Sequence, residues 1–318
     1  MDIRHLRYFA SIVEQGSFSR AAAALRIAQP ALSLHVRNME ANLGTSLLFR
    51  STKGVVPTEA GEILLRNARI ILDQLAIAED ELRGYDNEPV GDVRIGLPGT
   101  FGQVLAVPLI MTARSRFPKI KLHIAETMSG FAVEWIRDGR IDVAVVYHDL
   151  SEKGIVTTRV LEEELVCFGP MQALSGCEVP KSNKTISYDL IANLPLILPG
   201  GRHGFRDLLE RHAAAAGVTL NTIIDVDSHA NIKELVRCGV GYSILSMNSI
   251  SGEVKAGQLR CWSIGKPPIK RPVYLVNSVN RPLTNAVAAM KLLVLEVMHD
   301  LTRTGNLVRT TIIDEAVA

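Results

Sequence analysis

The sequence predicts an α/β protein with an N-terminal winged helix-turn-helix, a long linker helix and two Rossmann-like α/β lobes. Three observations predict it. Residues 1–58 hold short helical patterns separated by turn signals. Residues 59–88 hold a seven-residue apolar repeat. From Asp92 onward, strand-like apolar runs alternate with amphipathic stretches, the pattern of a doubly wound sheet. At 318 residues, with 47% hydrophobic and 21% charged, the chain can fill more than one core, and wholesale disorder is excluded.

The head reads as three helices and a hairpin. Ile3, Leu6, Ala10 and Val13 mark the inner face of a first helix, which Gly16 stops. Ser17 is a good N-cap for a second helix, 18–25, whose small face is Ala21 to Ala24. A four-residue turn, Arg26 to Gln29, leads to Pro30, which suits the start of a third helix. That helix runs to about Leu43, with Leu32, Val36, Met39 and Leu43 inward. Two short β segments then flank Lys53-Gly54, a turn signal that makes the wing.

The linker follows. Thr58 can cap its helix, and Glu59 and Glu62 suit a helix N-terminus. Leu64, Ala68, Ile71, Leu75, Ala78 and Leu82 form a heptad seam, expected to pair with a second copy of the chain. A helix over 58–86 would extend ~42 Å. Beyond it, strands are expected at 93–97, 121–126, 141–147, 164–168, 196–198, 222–226, 242–245 and 273–277. Helices are expected near 107–116, 130–138, 204–216, 230–238 and 282–302. The segments RDGRIDVAVV and RCGVGYSILS echo one another around Gly139 and Gly239, as two similar lobes would. Residues 304–318 show no periodicity and read as a loose tail.

Charge and composition narrow the function. Net charge is only +2, but residues 1–58 carry seven Lys/Arg against three Asp/Glu and residues 59–88 carry three against eight. A basic head before an acidic segment points to an anionic partner for the head alone. No apolar run reaches the ~20 residues of a membrane span. The N-terminus lacks a secretory h-region, so a cytoplasmic protein is expected. Cys167, Cys177, Cys238 and Cys261 make no CxxC pair, and the histidines show no metal spacing, so no metal is expected. HExxH, GxSxG, a P-loop and GxGxxG are all missing, which argues against an enzyme, and no cofactor is expected.

The strongest motif is the head itself. The run GSFSRAAAALRIAQPALSLHVRNMEANLGTSLLFRSTKGVVPTEAG resembles the DNA-binding region of LysR-type transcriptional regulators, and the likeness extends more weakly to about residue 303. It implies that the third helix, Gln29 to Leu43, enters the major groove of promoter DNA; a helix ~10 Å wide fits a groove ~12 Å wide. Gln29 and Ser33 are then the base-edge candidates, with Pro30 at the helix start. His35 and Arg37 are groove or phosphate contacts, and Arg50 and Lys53 hold phosphates from the wing. Two positions depart from the family pattern. Ala28 replaces a capping hydroxyl. Leu34 replaces a polar base reader; it could touch a thymine methyl or face protein, and it is left out of the contact set.

The resemblance also implies a regulatory region of periplasmic-binding-protein type. Its domains would be 1–58, 59–88 and 92–303, with lobe I at 92–161 plus 268–303 and lobe II at 162–267. Ligands of such sheets sit at the carboxyl ends of strands, facing helix N-termini, which favour anions. Loops at 98–103, 128–130, 200–204 and 227–230 fit that place. They give Thr100, Phe101, Gln103, Ser129, Gly201, Arg202, His203 and Ser228 as effector contacts, with Arg202 facing the carboxylate of a small organic anion. The family further implies a homodimer or homotetramer that contacts RNA polymerase. Two alternatives stay open. The runs IAQPALS, KGVVPTEAG and IDVAVVY look like the nitrogen assimilation control branch, some of whose members act without a coinducer. Cys167 and Cys177 could instead form a redox-sensing pair.

Overall fold

The computed structural model describes residues 1–51, 54–83, 88–127, 129–150, 154–182, 185–200, 204–281 and 283–313. The head contains α1 (Ile3–Gln15), α2 (Phe18–Leu25), α3 (Gln29–Leu43), β1 (Leu48–Ser51) and β2 (Gly54–Pro57). Asp2 caps α1 by accepting from the His5 N–H, and Gly16 ends it at φ +59°. Ser17 caps α2 as expected. Phe9, Ile12, Ala21, Leu32, Val36 and Leu47 close the core. Four inward assignments fail at the margins. Ile3 and Leu43 are 40% and 47% exposed because they lie at helix ends, beyond the reach of the core. Ala23 and Ala24 are exposed because four consecutive residues sweep ~300° of a helix and cannot share one face. The wing is tied down by the Val55 N–H donating to the Gly16 carbonyl, 3.0 Å.

Helix α4 (Glu59–Arg83) follows, capped by Thr58, whose hydroxyl accepts from the Gly61 N–H at 3.0 Å. A side chain at Gly61 would collide with the Leu47 carbonyl, so glycine lets α4 lie on the head. Leu65 and Leu72 pack into the head core and Ala68 is buried, while Ile71 is 43% exposed and Ala78 is exposed. Ala68, expected in the intermolecular seam, is thus spent inside the chain; the seam position Leu82 lies where no side chain is described.

Lobe I is built from β3 (Gly91–Leu97), α5 (Gly99–Arg116), β4 (Ile120–Glu126), α6 (Ser129–Arg137), β5 (Val143–Val146) and the first half of β6 (Ile155–Pro170). Lobe II takes the second half of β6 with β7 (Thr185–Ile186), α7 (Tyr188–Ala192), β8 (Leu196–Leu198), α8 (Gly204–Ala215) and β9 (Thr222–Asp225). It continues through α9 (His229–Arg237), β10 (Ser243–Ser246), α10 (Met247–Lys255) and β11 (Leu259–Ile264). The chain returns to lobe I with β12 (Lys270–Ser278) and α11 (Asn285–Arg303). β3 pairs in parallel with β4 and β5, and β8 with β9, but β12, β10 and β11 join antiparallel. The echo has a physical cause. Gly139 and Gly239 end α6 and α9 at φ +65° and +76°, and each is followed by an N–H bonded back to the same helical turn, Arg140 to Trp135 and Val240 to Leu235.

Two expectations need correction. Helix α5 starts at Gly99, not near 107, and carries Pro108 in its interior. Residues 304–313 are no loose tail. Leu307, 3% exposed, enters the lobe I core while Val308 packs on a lobe II cluster. β13 (Thr310–Ile312) then pairs with β6, Thr310 opposite Glu163. A strap of ten residues joins two cores, so no single apolar face marks it in sequence. Leu307→Ala is expected to cost about 2–4 kcal/mol in urea unfolding. Leu292→Ala, at a position 61% exposed, is expected within about 0.5 kcal/mol of the parent; equal effects would show that the strap is not docked.

Candidate functional site

The outward face of α3 follows from its inward one. Leu32, Val36 and Met39 are buried, so Pro30 and Arg37 face outward and are exposed and Ser33 is half-buried, while Gln29 is exposed because it begins the helix. Ala28 holds the N-cap backbone but offers no side-chain hydrogen bond. Its missing hydroxyl leaves first-turn N–H groups open to an external acceptor such as a phosphate. Leu34 is 54% exposed, which excludes the reading in which it faces protein.

The remaining head candidates divide. The His35 ring lies 3.2 Å from His5 Nε2 and packs on Tyr8, so it is held between α3 and α1 and not on the outward face. Arg50 donates to Glu40 Oε2 at 3.2 Å and lies 4.8 Å over the Phe18 ring. The other Glu40 oxygen accepts from the Leu47 and Leu48 N–H groups at 2.9 and 3.3 Å. Glu40 therefore fixes both the strand entering the wing and the arginine beside it. Lys53 lies outside the described residues. Exposed Arg20 and Arg26 extend the basic surface; the charge count of the head was their only sequence signal.

Between the lobes, parallel strands deliver helix N-termini from both sides. α5 and α6 begin just after β3 and β4 in lobe I, and α8 and α9 begin after β8 and β9 in lobe II. Thr100, 4% exposed, bonds its hydroxyl to the Tyr147 hydroxyl at 2.6 Å. Burial pushes the Tyr147 phenol well above its ordinary pKa. Gln103 is exposed on the first turns of α5, Ser129 begins α6, and Ser228 is exposed and caps α9. Phe101 does not line the cleft: at 1% exposure it belongs to the lobe I core, because α5 starts early enough to turn it inward. Gly201, Arg202 and His203 lie outside the described residues. Carboxylates already sit at two of these edges. Glu126 lies against Gly99, and Asp227 accepts from the Gly200 N–H at 3.0 Å.

Sequence reading missed the group that joins the two sides. Arg271, 4% exposed, lies 3.4 Å from the Tyr147 ring centre and 5.0 Å from that of Phe205, at the start of α8. Its Nε donates to Glu163 Oε1 at 3.0 Å, and its Nη2 also reaches that oxygen. Asn248 of α10 donates to the other Glu163 oxygen at 3.3 Å and to Thr310 at 3.0 Å. Register makes this pair, since Arg271 of β12 stands opposite Glu163 of β6. Strands far apart in sequence supply it, so no motif announces it.

A second polar seam ties head and linker to lobe I. Arg281 donates from Nε to Asp73 of α4 at 3.0 Å and from Nη2 to Asp142 at 3.3 Å. The Arg94 N–H donates to Asp142 at 2.7 Å. Arg69 and Arg94 both reach Glu14 of α1, at 3.4 and 3.5 Å, and Arg69 also donates to the Asp138 carbonyl. Burial raises the Asp142 carboxyl above its ordinary pKa despite the arginine beside it. Among the described residues no helix is long and apolar enough to cross a membrane, and no metal-binding cluster occurs. Cys167 is buried and its thiol is pushed far up by desolvation, the opposite of what a peroxide-reactive sulfur requires.

Comparison with known proteins adds three findings. A model described as "Bacterial regulatory helix-turn-helix protein, lysR family" matches residues 3–62, and one described as "LysR substrate binding domain" matches residues 86–299. The nitrogen assimilation regulatory protein nac of Escherichia coli is 30% identical over 264 residues, 82% of this chain and 84% of that protein. The transcriptional regulator BbuR of Bordetella bronchiseptica is 30% identical over 259 residues, 81% of this chain and 78% of that one. Among solved structures, full-length OxyR of Pseudomonas aeruginosa aligns with TM-score 0.76 at 22% identity, covering 93% of this chain and 97% of that one. CbnR, a LysR family transcriptional regulator, aligns at TM-score 0.62 and 22% identity, covering 93% and 99%. These two show the same fold.

The buried pair sets a test. Arg271→Ala leaves Glu163 charged in a dry site and is expected to lower unfolding free energy by about 3–5 kcal/mol. The double change Glu163→Leu with Arg271→Met is expected to recover most of that loss, read from urea unfolding of all variants. Additive losses would show that the two groups do not act as a pair.

Proposed function

The chain belongs to the LysR family of bacterial helix-turn-helix regulators, and from that premise we propose how its parts divide the work. It is a DNA-binding transcriptional regulator and not an enzyme, and its regulatory domain takes a small-molecule effector. In our reading α3 reads the major groove. Gln29 and Ser33 reach base edges, Pro30 sets the helix start, and Arg37, Arg50 and Lys53 bind phosphates. The observation that carries this is the outward face of α3, where Pro30, Leu34, Arg37 and Asn38 are exposed on the side opposite its buried residues. His35 acts by holding α3 on α1.

The effector proposal is a small organic anion in the interlobe cleft. Thr100, Gln103, Ser129 and Ser228 lie at helix N-termini that follow strands of both lobes, and Gly201, Arg202 and His203 directly precede α8 in the sequence. Glu163 neutralises Arg271, so Arg202 supplies the cation that an anion needs. By kinship with the regulator family, we take the working form as a homodimer or homotetramer in the cytoplasm, acting on RNA polymerase. Promoter half-sites then lie about one helical turn apart, or multiples of it.

Two measurements test the reading. DNA affinity of the full chain, followed by fluorescence anisotropy, is expected to fall steeply with salt. Arg37→Ala is expected to weaken all duplexes alike and to lower the salt slope by about one; a salt-independent affinity would overturn the proposal for the head. For the cleft, a thermal-shift panel of carboxylates and sulfonates is expected to give a hit worth ~2.7 kcal/mol at 100 times its dissociation constant. Arg202→Ala is expected to abolish that shift, and an undiminished shift in the variant would remove Arg202 from the site.

A further inference from the structure

Leu34 occupies the most prominent point of the proposed DNA face, and its chemistry differs from that of its neighbours. Each residue of a helix turns ~100°. Position 34 therefore lies within ~40° of the direction opposite each of the buried residues Leu32, Val36 and Met39. It is 54% exposed. Pro30 one turn earlier and Arg37 and Asn38 one turn later share this crest, and all three are exposed. Ser33 lies ~100° away, on the flank, and Gln29 ~140° away, close to the direction of buried Val36 and exposed as the first residue of the helix. The residue at the centre of the reading face is thus a leucine, with no donor or acceptor to offer a base.

The major groove presents one apolar group at its edge, the 5-methyl of thymine. A leucine pressed against guanine or adenine would strip water from N7, O6 or N6 and return no hydrogen bond. Against thymine it buries methyl against methyl. Attraction and penalty thus select the same base. We propose that Leu34 determines operator specificity by contacting thymine 5-methyl groups, so that the preferred half-site carries thymine beneath the centre of α3. The inference rests on the groove-reading role given to α3 above.

Deoxyuridine isolates the contact, since it pairs as thymine does and lacks only the methyl. Duplexes are first selected from a randomised pool with the full chain. Each thymine of the selected half-site is then replaced by deoxyuridine, and affinity is measured at fixed salt by fluorescence anisotropy. One position per half-site is expected to lose about fourfold, the worth of one buried methyl. Leu34→Ala is expected to lose that sensitivity at the same position and to bind the deoxyuridine duplex within about twofold of the parent. Leu34→Met, which keeps an apolar tip, is expected to retain most of it. Selected half-sites without thymine would overturn the proposal, as would a parent protein indifferent to every methyl or a Leu34→Ala protein with the parental sensitivity. Failure to select any duplex would instead sink the DNA-reading role, and the Leu34 proposal with it.

Discussion

One strand belongs to both lobes. β6 runs unbroken for 16 residues, pairing with β12 along its first half and with β10 and β11 along its second. Its ~50 Å length makes it the beam on which the regulatory region is built. The expected crossing at residues 161–162 is therefore not a loop but a point inside a hydrogen-bonded ladder. Any movement of one lobe against the other must bend this strand or slide what is paired to it. The buried groups cluster where that happens. Glu163 sits at the changeover, with Arg271 on one side, Thr310 on the other, and Asn248 reaching across from lobe II.

The two-sided grip on Glu163 explains why the ion pair sits there at all. A buried pair contributes little net stability against an apolar replacement, but it is intolerant of partial disruption. At a hinge that intolerance is useful. Arg271 is stacked between Tyr147 of lobe I and Phe205 of lobe II, and Tyr147 is bonded to Thr100 at the head of α5. A shift of either lobe changes what the guanidinium stacks against. The strap at 307–313 acts on the same point, since adjacent residues Leu307 and Val308 pack with different lobes.

What the sequence made legible was local. Ser17, Gly16 and Thr58 act at helix ends within three residues of the groups they cap, and all behave as read. Gly139 and Gly239 announced a repeat because the same backbone turn is needed twice. The misreadings share one physical cause. The helix expected near 107–116 starts at Gly99 and runs through Pro108, whose cost inside a helix is local while the packing that outweighs it is tertiary. Phe101 was placed in the cleft because a one-element shift of the helix start moves a side chain from loop to core. Arg271, Arg281 and the strap were invisible, since their partners lie 108 or more residues away or on two different lobes. Leu34 lay between these cases. Its chemistry was plain in the sequence, but which way it faced required the helix to be seated.

The seam at Arg281 bears on how a cleft could command the head. Glu14, Arg69 and Asp73, from α1 and α4, meet Arg94, Asp138, Asp142 and Arg281, and all four of these belong to lobe I. The ion pairs and hydrogen bonds of this seam thus hold the head of a chain to lobe I, the lobe that carries α5 and α6. Lobe II joins that body through β6, the return strand β12, the strap and the packing of α10 against α5. If the proposed cleft closes, the head stays fixed on lobe I and lobe II is the part that moves. Such a swing changes nothing within one head; it changes how lobe II meets whatever lies beside it. In the proposed dimer or tetramer that neighbour is another copy of the chain. The spacing between heads, not the shape of any single head, becomes the quantity an effector can alter. At the centre of this seam burial pushes the Asp142 carboxyl up while Arg281 beside it pulls it down, so the grip of lobe I on the linker helix depends on that pair staying together.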